Sequence, residues 1–273
     1  MSAKEEKIAK LCKMVEEGSK SVYNSEEWKS YLRTMAKFHN YSARNCLLIL
    51  LQNPNASHVA GFSTWKNTFH RYVKKGEHGI GILGGRSGSY TKQETNKETG
   101  AVEDVDHSYT SFFPCTVFDV AQTEGEDLPT VAHVLTGDVE QSEEIENKIA
   151  NICPFPVEFE YLEDGAHGYM DEKARRVVVC KGMSHEQTIK SLIHVTAHAH
   201  LVDEDKSKDR WEREVEAESV AYAVSGYLGI DTASYSFGYI AGWARDKDMK
   251  YLQSNQKLIR DTAAKIIDGI GEK

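Results

Sequence analysis

His194 and His198 stand four residues apart in a stretch that also carries Ile189, Leu192 and Ile193. Four residues is about one helical turn, so on a helix both imidazoles project from one face and can grip a single metal ion. This is the ligand half of the metallopeptidase motif H-E-x-x-H. The catalytic half is missing, because the position of the water-activating glutamate is Val195. A third ligand in such sites comes from a later helix, and Glu214, Glu216 and Glu218 follow His198 by 16 to 20 residues. Glu214 and Glu218 are i, i+4 partners on one face, and Glu216 points away from them. The spacing favours Glu214 as the ligand. Glu218 is the second candidate, and whichever of the two does not ligate is placed to orient an imidazole.

A metal in such a site lowers the pKa of its water and polarises a carbonyl, while the glutamate takes the water's proton and passes it to the leaving amine. Valine does neither. General acid–base assistance is worth about 10²–10⁴ in rate, so no catalytic residue is assigned and negligible peptidase activity is expected. Glu186 is not a substitute, since it lies about two helical turns upstream on the same helix.

These residues need scaffolding, and 273 residues suffice for one large or two modest domains. A hydrophobic content of 40% and a charged content of 27% are those of an ordinary soluble globular chain. No apolar run approaches a membrane span, and the N-terminal residues lack a signal-peptide core, so a cytoplasmic protein without membrane contact is expected. The five cysteines are odd in number and form no C-x-x-C pair, which points to reduced, buried thiols.

The charge is unevenly spread. Residues 1–83 carry 13 Lys/Arg against 7 Asp/Glu, and the remainder carries 20 against 35. A basic first third on an acidic remainder suggests that the N-terminal part meets a polyanion. Trp65, Lys66, Arg71, Tyr72, Lys74 and Lys75 supply what a single-strand binder needs, with Phe69 among them. Cations track phosphates, and aromatic faces stack on unpaired bases.

Hydrophobic spacing predicts helices over 4–20, 25–39 and 43–52, the last nearly all apolar. A short strand or turn at 59–65 and a basic turn entering a strand at 71–83 follow. Residues 84–111 have no periodic apolar pattern and read as an exposed excursion, a long hairpin whose second strand is 112–120. A connector leads to a helix at 143–152 and three short strands near 157–161, 168–170 and 175–179. The strand at 175–179 is expected as an edge beside the metal groove. Ser184 with Gln187 reads as a capping box for the His194 helix. Residues 235–243 lead into another helix, and 251–269 form the last one.

The run Tyr31, Leu32, Arg33, Phe38, His39, Asn40, Tyr41, Ser42, Asn45, Leu47 and Leu48 is continued by Val59, Ala60, Gly61 and Trp65. Lys74, Lys75, Gly76, Glu77, Gly79 and Ile80 complete the pattern. It resembles the N-terminal domain of ArdC/LtrC-like proteins. Val117 to Val120 and Gln122 to Gly125 resemble their connector. Residues 184–243, with His194 and Glu216 to Tyr222, resemble their zincin-like metallopeptidase domain, related to the ImmA/IrrE group. The resemblance implies an α+β protein of two domains, a single-stranded-DNA-binding domain over 1–130 and a zincin-like domain over 131–273. It also implies Zn²⁺ as the metal, and a plasmid, conjugative element or phage as the carrier, with an antirestriction role. Two positions depart from the pattern: Val195 replaces the glutamate, and Val202 stands where relatives often have a further histidine. Three readings follow. The chain is a DNA-binding module on a degenerate metallopeptidase scaffold, a working peptidase with another base, or an inhibitor that binds a host defence protein.

Overall fold

The computed structural model describes residues 3–21, 25–95, 102–128, 139–162, 165–204, 206–230 and 250–271. Leu47, Leu48 and Ile49 are fully buried, which is why the apolar run Ala43–Gln52 forms a central helix, α3, behind α1 (Ala3–Ser21) and α2 (Ser25–Lys37). Ser42 starts α3 by accepting a hydrogen bond from the backbone N–H of Asn45. Next come β1 (Val59–Gly61), α4 (Phe62–Asn67) and β2 (Arg71–Val73). The long strands β3 (Ile80–Thr95) and β4 (Val102–Asp119) follow, then β5 (Thr123–Gly125).

One antiparallel sheet has the order β1-β4-β3, and β2 pairs with β5 in a separate two-stranded ribbon. The free edge of β3 is closed by α3. Asn45 donates to the carbonyl of Leu83 at 2.9 Å and accepts from its N–H at 3.0 Å. Gln52, two turns later, does the same for Gly81 at 2.8 and 2.9 Å. Two amide side chains therefore stand in for a fourth strand.

The described residues of the excursion at 84–111 form an antiparallel ribbon, paired from Ile80↔Val117 out to Thr95↔Val102. It carries no apolar period because beyond Leu83 it is mostly exposed, so neither face of it is a core face.

The second half holds α5 (Val139–Ile152), β6 (Val157–Glu160), β7 (Gly168–Asp171), β8 (Arg176–Cys180), α6 (His185–Leu201), α7 (Arg210–Tyr227) and α8 (Lys250–Gly271). The sheet order is β6-β8-β7, with β6 parallel and β7 antiparallel to β8. The strand expected at an edge is thus the central one. Val177, Val178 and Val179 are all completely buried, as an unbroken valine run should be when both faces are covered. The outer strand near α6 is β7 instead.

The two halves share one apolar core. Helix α2 lies against α7, with Trp28 Nε1 donating to Ser219 Oγ at 3.4 Å and Arg33 Nε to the Tyr222 hydroxyl at 2.8 Å. Among the described residues no helix is long and apolar enough to cross a membrane. Of the connector expected from Gly125 to about Ser142, residues 129–138 lie outside the described residues and the last four already belong to α5; the helix expected after 235–243 also lies outside them.

Candidate metal centre

Helix α6 begins where β8 ends. Gly182 at φ 84° turns the chain, and Ser184 Oγ accepts from the N–H of Gln187 at 3.3 Å. The other half of the expected capping box is replaced. The Gln187 amide lies 3.3 Å from both His167 Nδ1 and Ser191 Oγ. Between Ser191 and Ala199 every α6 side chain is buried except His194 and His198, which are half-buried on the strip facing α7. Helix α7 is fixed at its start by a reciprocal capping box, Asp209 with Glu212, a D-x-x-E signal legible in the sequence. That start sets the rotation bringing Glu214 and Glu218 opposite the histidines. Glu216, on another face, is buried and paired with Lys208 Nζ at 2.7 Å.

Three ligand atoms converge. His194 Nε2 and His198 Nε2 are 3.1 Å apart, and Glu214 Oε2 is 3.7 Å from the first and 3.5 Å from the second. A tetrahedral ion with bonds of about 2.0–2.1 Å separates its ligand atoms by about 3.3–3.4 Å, so the triangle has the size such an ion requires. Two imidazoles and one carboxylate are a donor set that zinc and its first-row neighbours accept. Glu218 Oε1 lies 3.5 Å from the other nitrogen of His194, Nδ1. Burial first, and the His198 imidazole second, push the His194 pKa down to about 4 against the opposing pull of Glu214. His194 is therefore neutral at pH 7 with a lone pair to give. A hydrogen bond from His198 foremost holds Glu214 below the usual carboxylate range.

Val195 is 2% exposed. Its neighbour across the cleft is Gly168 of β7, where an added Cβ would sit 3.5 Å from Val195 Cγ1 and only 2.8 Å from the Val178 carbonyl oxygen. The glycine lets the outer strand run close to the helix. A cavity of about 320 Å³ opens here, lined by His167, Gly168, Gln187, Lys190, Ser191, His194, Val195 and Glu218 among others. Its lining carboxylate, Glu218, is already engaged with His194. Glu186 points to solvent and pairs with Lys190 Nζ at 2.7 Å. His167 was not singled out by the sequence. Its signal is a titratable ring between Gly165 and Gly168, just before the outer strand.

The six residues expected to touch DNA are treated differently by the fold. Trp65 is 1% exposed, packs against Phe69 and donates its indole N–H to the Phe118 carbonyl at 2.8 Å. That expectation is corrected: the indole anchors α4 to β4 and its face is not open to a base. Arg71 holds β2 to β5, donating to Thr123 Oγ1 at 2.8 Å and to the carbonyls of Thr123, Gly125 and Glu126. Lys74 Nζ caps the Ala121 carbonyl at 3.0 Å. Lys66, Tyr72 and Lys75 are exposed, Tyr72 by 55%.

Residues 1–118 match the family described as the N-terminal domain of anti-restriction factor ArdC. An uncharacterized protein of Bacillus anthracis is 26% identical over 92% of this chain, and the chain spans about half the length of that relative, 49%. The Mn(II)-bound crystal structure of antirestriction protein ArdC from plasmid R388 superposes with a TM-score of 0.53 at 15% identity, covering 95% of this chain and 98% of that one. The metal-free crystal structure of the same protein gives a TM-score of 0.49 at 18% identity, covering 85% and 84%. The fold is thus α+β in the arrangement of the Mn(II)-bound structure along nearly the whole chain, and residues 1–118 match the ArdC N-terminal domain family.

Proposed function

We propose that this chain is a single-stranded-DNA-binding protein of the antirestriction type, carried by a mobile genetic element and acting in the cytoplasm. In this reading residues 1–130 meet the DNA. Residues 131–273 form a zincin-like half that holds a divalent ion and has lost peptide hydrolysis. The observation that carries it is the pairing of an intact ligand triangle, His194, His198 and Glu214, with a buried Val195 at the general-base position. The family match of residues 1–118 and the basic balance of residues 1–83 support the DNA-binding half.

His194, His198 and Glu214 would hold the ion. Zn²⁺ suits the donor set, and the R388 relative was crystallised with Mn(II). Such an ion lowers the pKa of bound water and polarises carbonyls. This chain's residues supply the rest of the site only in part. Glu218 fixes the orientation of the His194 ring through Nδ1, and the neutral His194 imidazole stands ready to ligate. Val195 accepts no proton, so water held there is not deprotonated by its neighbour on α6.

A working peptidase with another base is favoured by one observation, the His167 ring in the cleft. The test is one preparation carried through three measurements: metal content by elemental analysis, binding of single-stranded and duplex oligonucleotides, and hydrolysis of an unfolded protein substrate. Our reading expects about one equivalent of metal, single-strand preference and no hydrolysis. Hydrolysis abolished by His167→Ala would establish the rival.

A further inference from the structure

The ribbon of β3 and β4 has two chemically different faces. Cross-strand partners share a face and successive residues alternate. The register Arg86↔Ser111, Gly88↔Tyr109, Tyr90↔His107 and Lys92↔Val105 therefore builds one face from two cations and three aromatic rings. The opposite face carries Ser87, Ser89 and Thr91 against Thr110, Ser108 and Asp106, with Asp104 following. There Thr91 Oγ1 donates to Asp106 Oδ1 at 2.7 Å. Over residues 86–92 and 105–111 the one acid, Asp106, lies on one side and the two cations, Arg86 and Lys92, on the other.

The aromatic rings are arranged rather than scattered. Tyr90 stacks on His107, with centroids 5.4 Å apart and planes 19° from parallel, and lies 6.2 Å from Tyr109. Gly88 makes room for Tyr109, since a Cβ at Gly88 would come within 2.7 Å of that ring. Tyr90 and Tyr109 nonetheless remain 51% and 52% exposed. Half-open rings between an exposed arginine and an exposed lysine lack the apolar surround of a core-packing surface.

We infer that this face is the platform on which unpaired bases of single-stranded DNA stack, with Tyr90 and Tyr109 as the stacking rings and Arg86 and Lys92 on the phosphates. The inference rests on the proposed DNA-binding function and names the surface that serves it. A duplex offers the same phosphates but keeps its bases paired and stacked, so rings of this kind select the single strand. Arg86 and Lys92 attract a polyanion to this face, and Asp106 on the opposite face repels it. This location replaces the Trp65 indole, which the fold has enclosed.

The test uses the full chain and a fluorescein-labelled oligothymidylate of about 20 nucleotides, followed by anisotropy at several salt concentrations. Tyr90→Ala and Tyr109→Ala are each expected to weaken binding about 5- to 150-fold at any salt. Tyr90→Phe and Tyr109→Phe, which keep the ring, should bind as the parent does. Arg86→Ala combined with Lys92→Ala should shallow the slope of log K against log salt by about 1.4, or about 0.7 for each phosphate no longer neutralised. On the opposite face Asp106→Asn should leave binding unchanged or tighter. If the parent binds the oligonucleotide and the tyrosine-to-alanine variants bind equally well, the platform is overturned while the DNA-binding function stands. A parent chain that binds no single strand overturns both. If those variants instead turn a dimer into a monomer in sedimentation with DNA affinity intact, the face belongs to a second copy and the inference fails.

Discussion

Glu218 approaches His194 from the side opposite the ligand triangle, its Oε1 3.5 Å from Nδ1, while Glu214 Oε2 faces Nε2 at 3.7 Å. One turn of α7 thus separates a carboxylate placed to ligate from one placed to orient. The two should be separable by metal titration. Glu214→Gln removes a charged ligand and is expected to abolish stoichiometric binding, as His194→Ala and His198→Ala should. Glu218→Gln is expected to keep the stoichiometry and weaken affinity about 10- to 100-fold, the usual effect of losing a carboxylate behind a ligating histidine. Equal effects from the two glutamate variants, read by calorimetry, would reject the division of roles.

Val195→Glu restores the missing proton acceptor where the spacing of H-E-x-x-H demands it. Val195 is almost fully buried beneath β7, so in metal-free protein the new carboxylate should destabilise by about 1–3 kcal/mol or more, seen as a lower melting temperature. Added Zn²⁺ should recover much of that loss by binding only the folded state. Hydrolysis of an unfolded substrate should rise by about 10²–10⁴ over the parent. A variant that folds, holds metal and still hydrolyses nothing would show that the cleft, and not residue 195 alone, has lost the chemistry.

The metal helix is legible because its signal is local: two histidines at i, i+4 with Ile189, Leu192 and Ile193 behind them. The helices at 3–21, 25–37 and 43–52 are legible for the same reason. The order of β6, β8 and β7 is not, because valines at 177–179 announce burial without saying which strands cover them. The ribbon face escapes a reading by hydropathy, since its pattern alternates aromatic and basic residues with serine and threonine, a period that hydropathy averages away. Trp65 shows the converse limit. A tryptophan beside lysines has the composition of a binding site, and only the partner across the chain, the Phe118 carbonyl, reveals an anchor.

Asn45 and Gln52 make matching bonds to β3 in different surroundings, which gives a graded prediction. The Asn45 bonds to Leu83 are buried, and those of Gln52 to Gly81 are exposed. Asn45→Ala leaves a buried N–H and carbonyl unsatisfied and should cost about 1–3 kcal/mol. In Gln52→Ala water takes over the freed groups, and the cost should stay below about 1 kcal/mol. Urea unfolding of both variants checks the order. Equal losses would mean that the edge of β3 is wet at Leu83 as well.

The cysteines provide a pH test of the core behind α3. Cys46 is fully enclosed, and burial pushes its thiol up to about 12 from an ordinary value of 9.0, with Arg260 and a backbone hydrogen bond opposing. Cys12 lies exposed on α1, a departure from the expectation that all the thiols are buried. Because the thiolate is the reactive form, alkylation of native protein at pH 8 should label Cys12 readily and leave Cys46 untouched until denaturant is added. The same shift couples to stability. Below pH 9 the Cys46 thiol is protonated in folded and unfolded chains alike, and its burial costs nothing in charge. Above pH 9 the unfolded chain releases the proton while the folded chain keeps it, so this group should subtract steadily from stability as the pH climbs toward 12. Cys46→Ala should remove that component of the alkaline decline while costing stability at neutral pH through the lost packing. A decline from pH 9 to 11 that is identical in parent and variant would place its origin elsewhere in the chain.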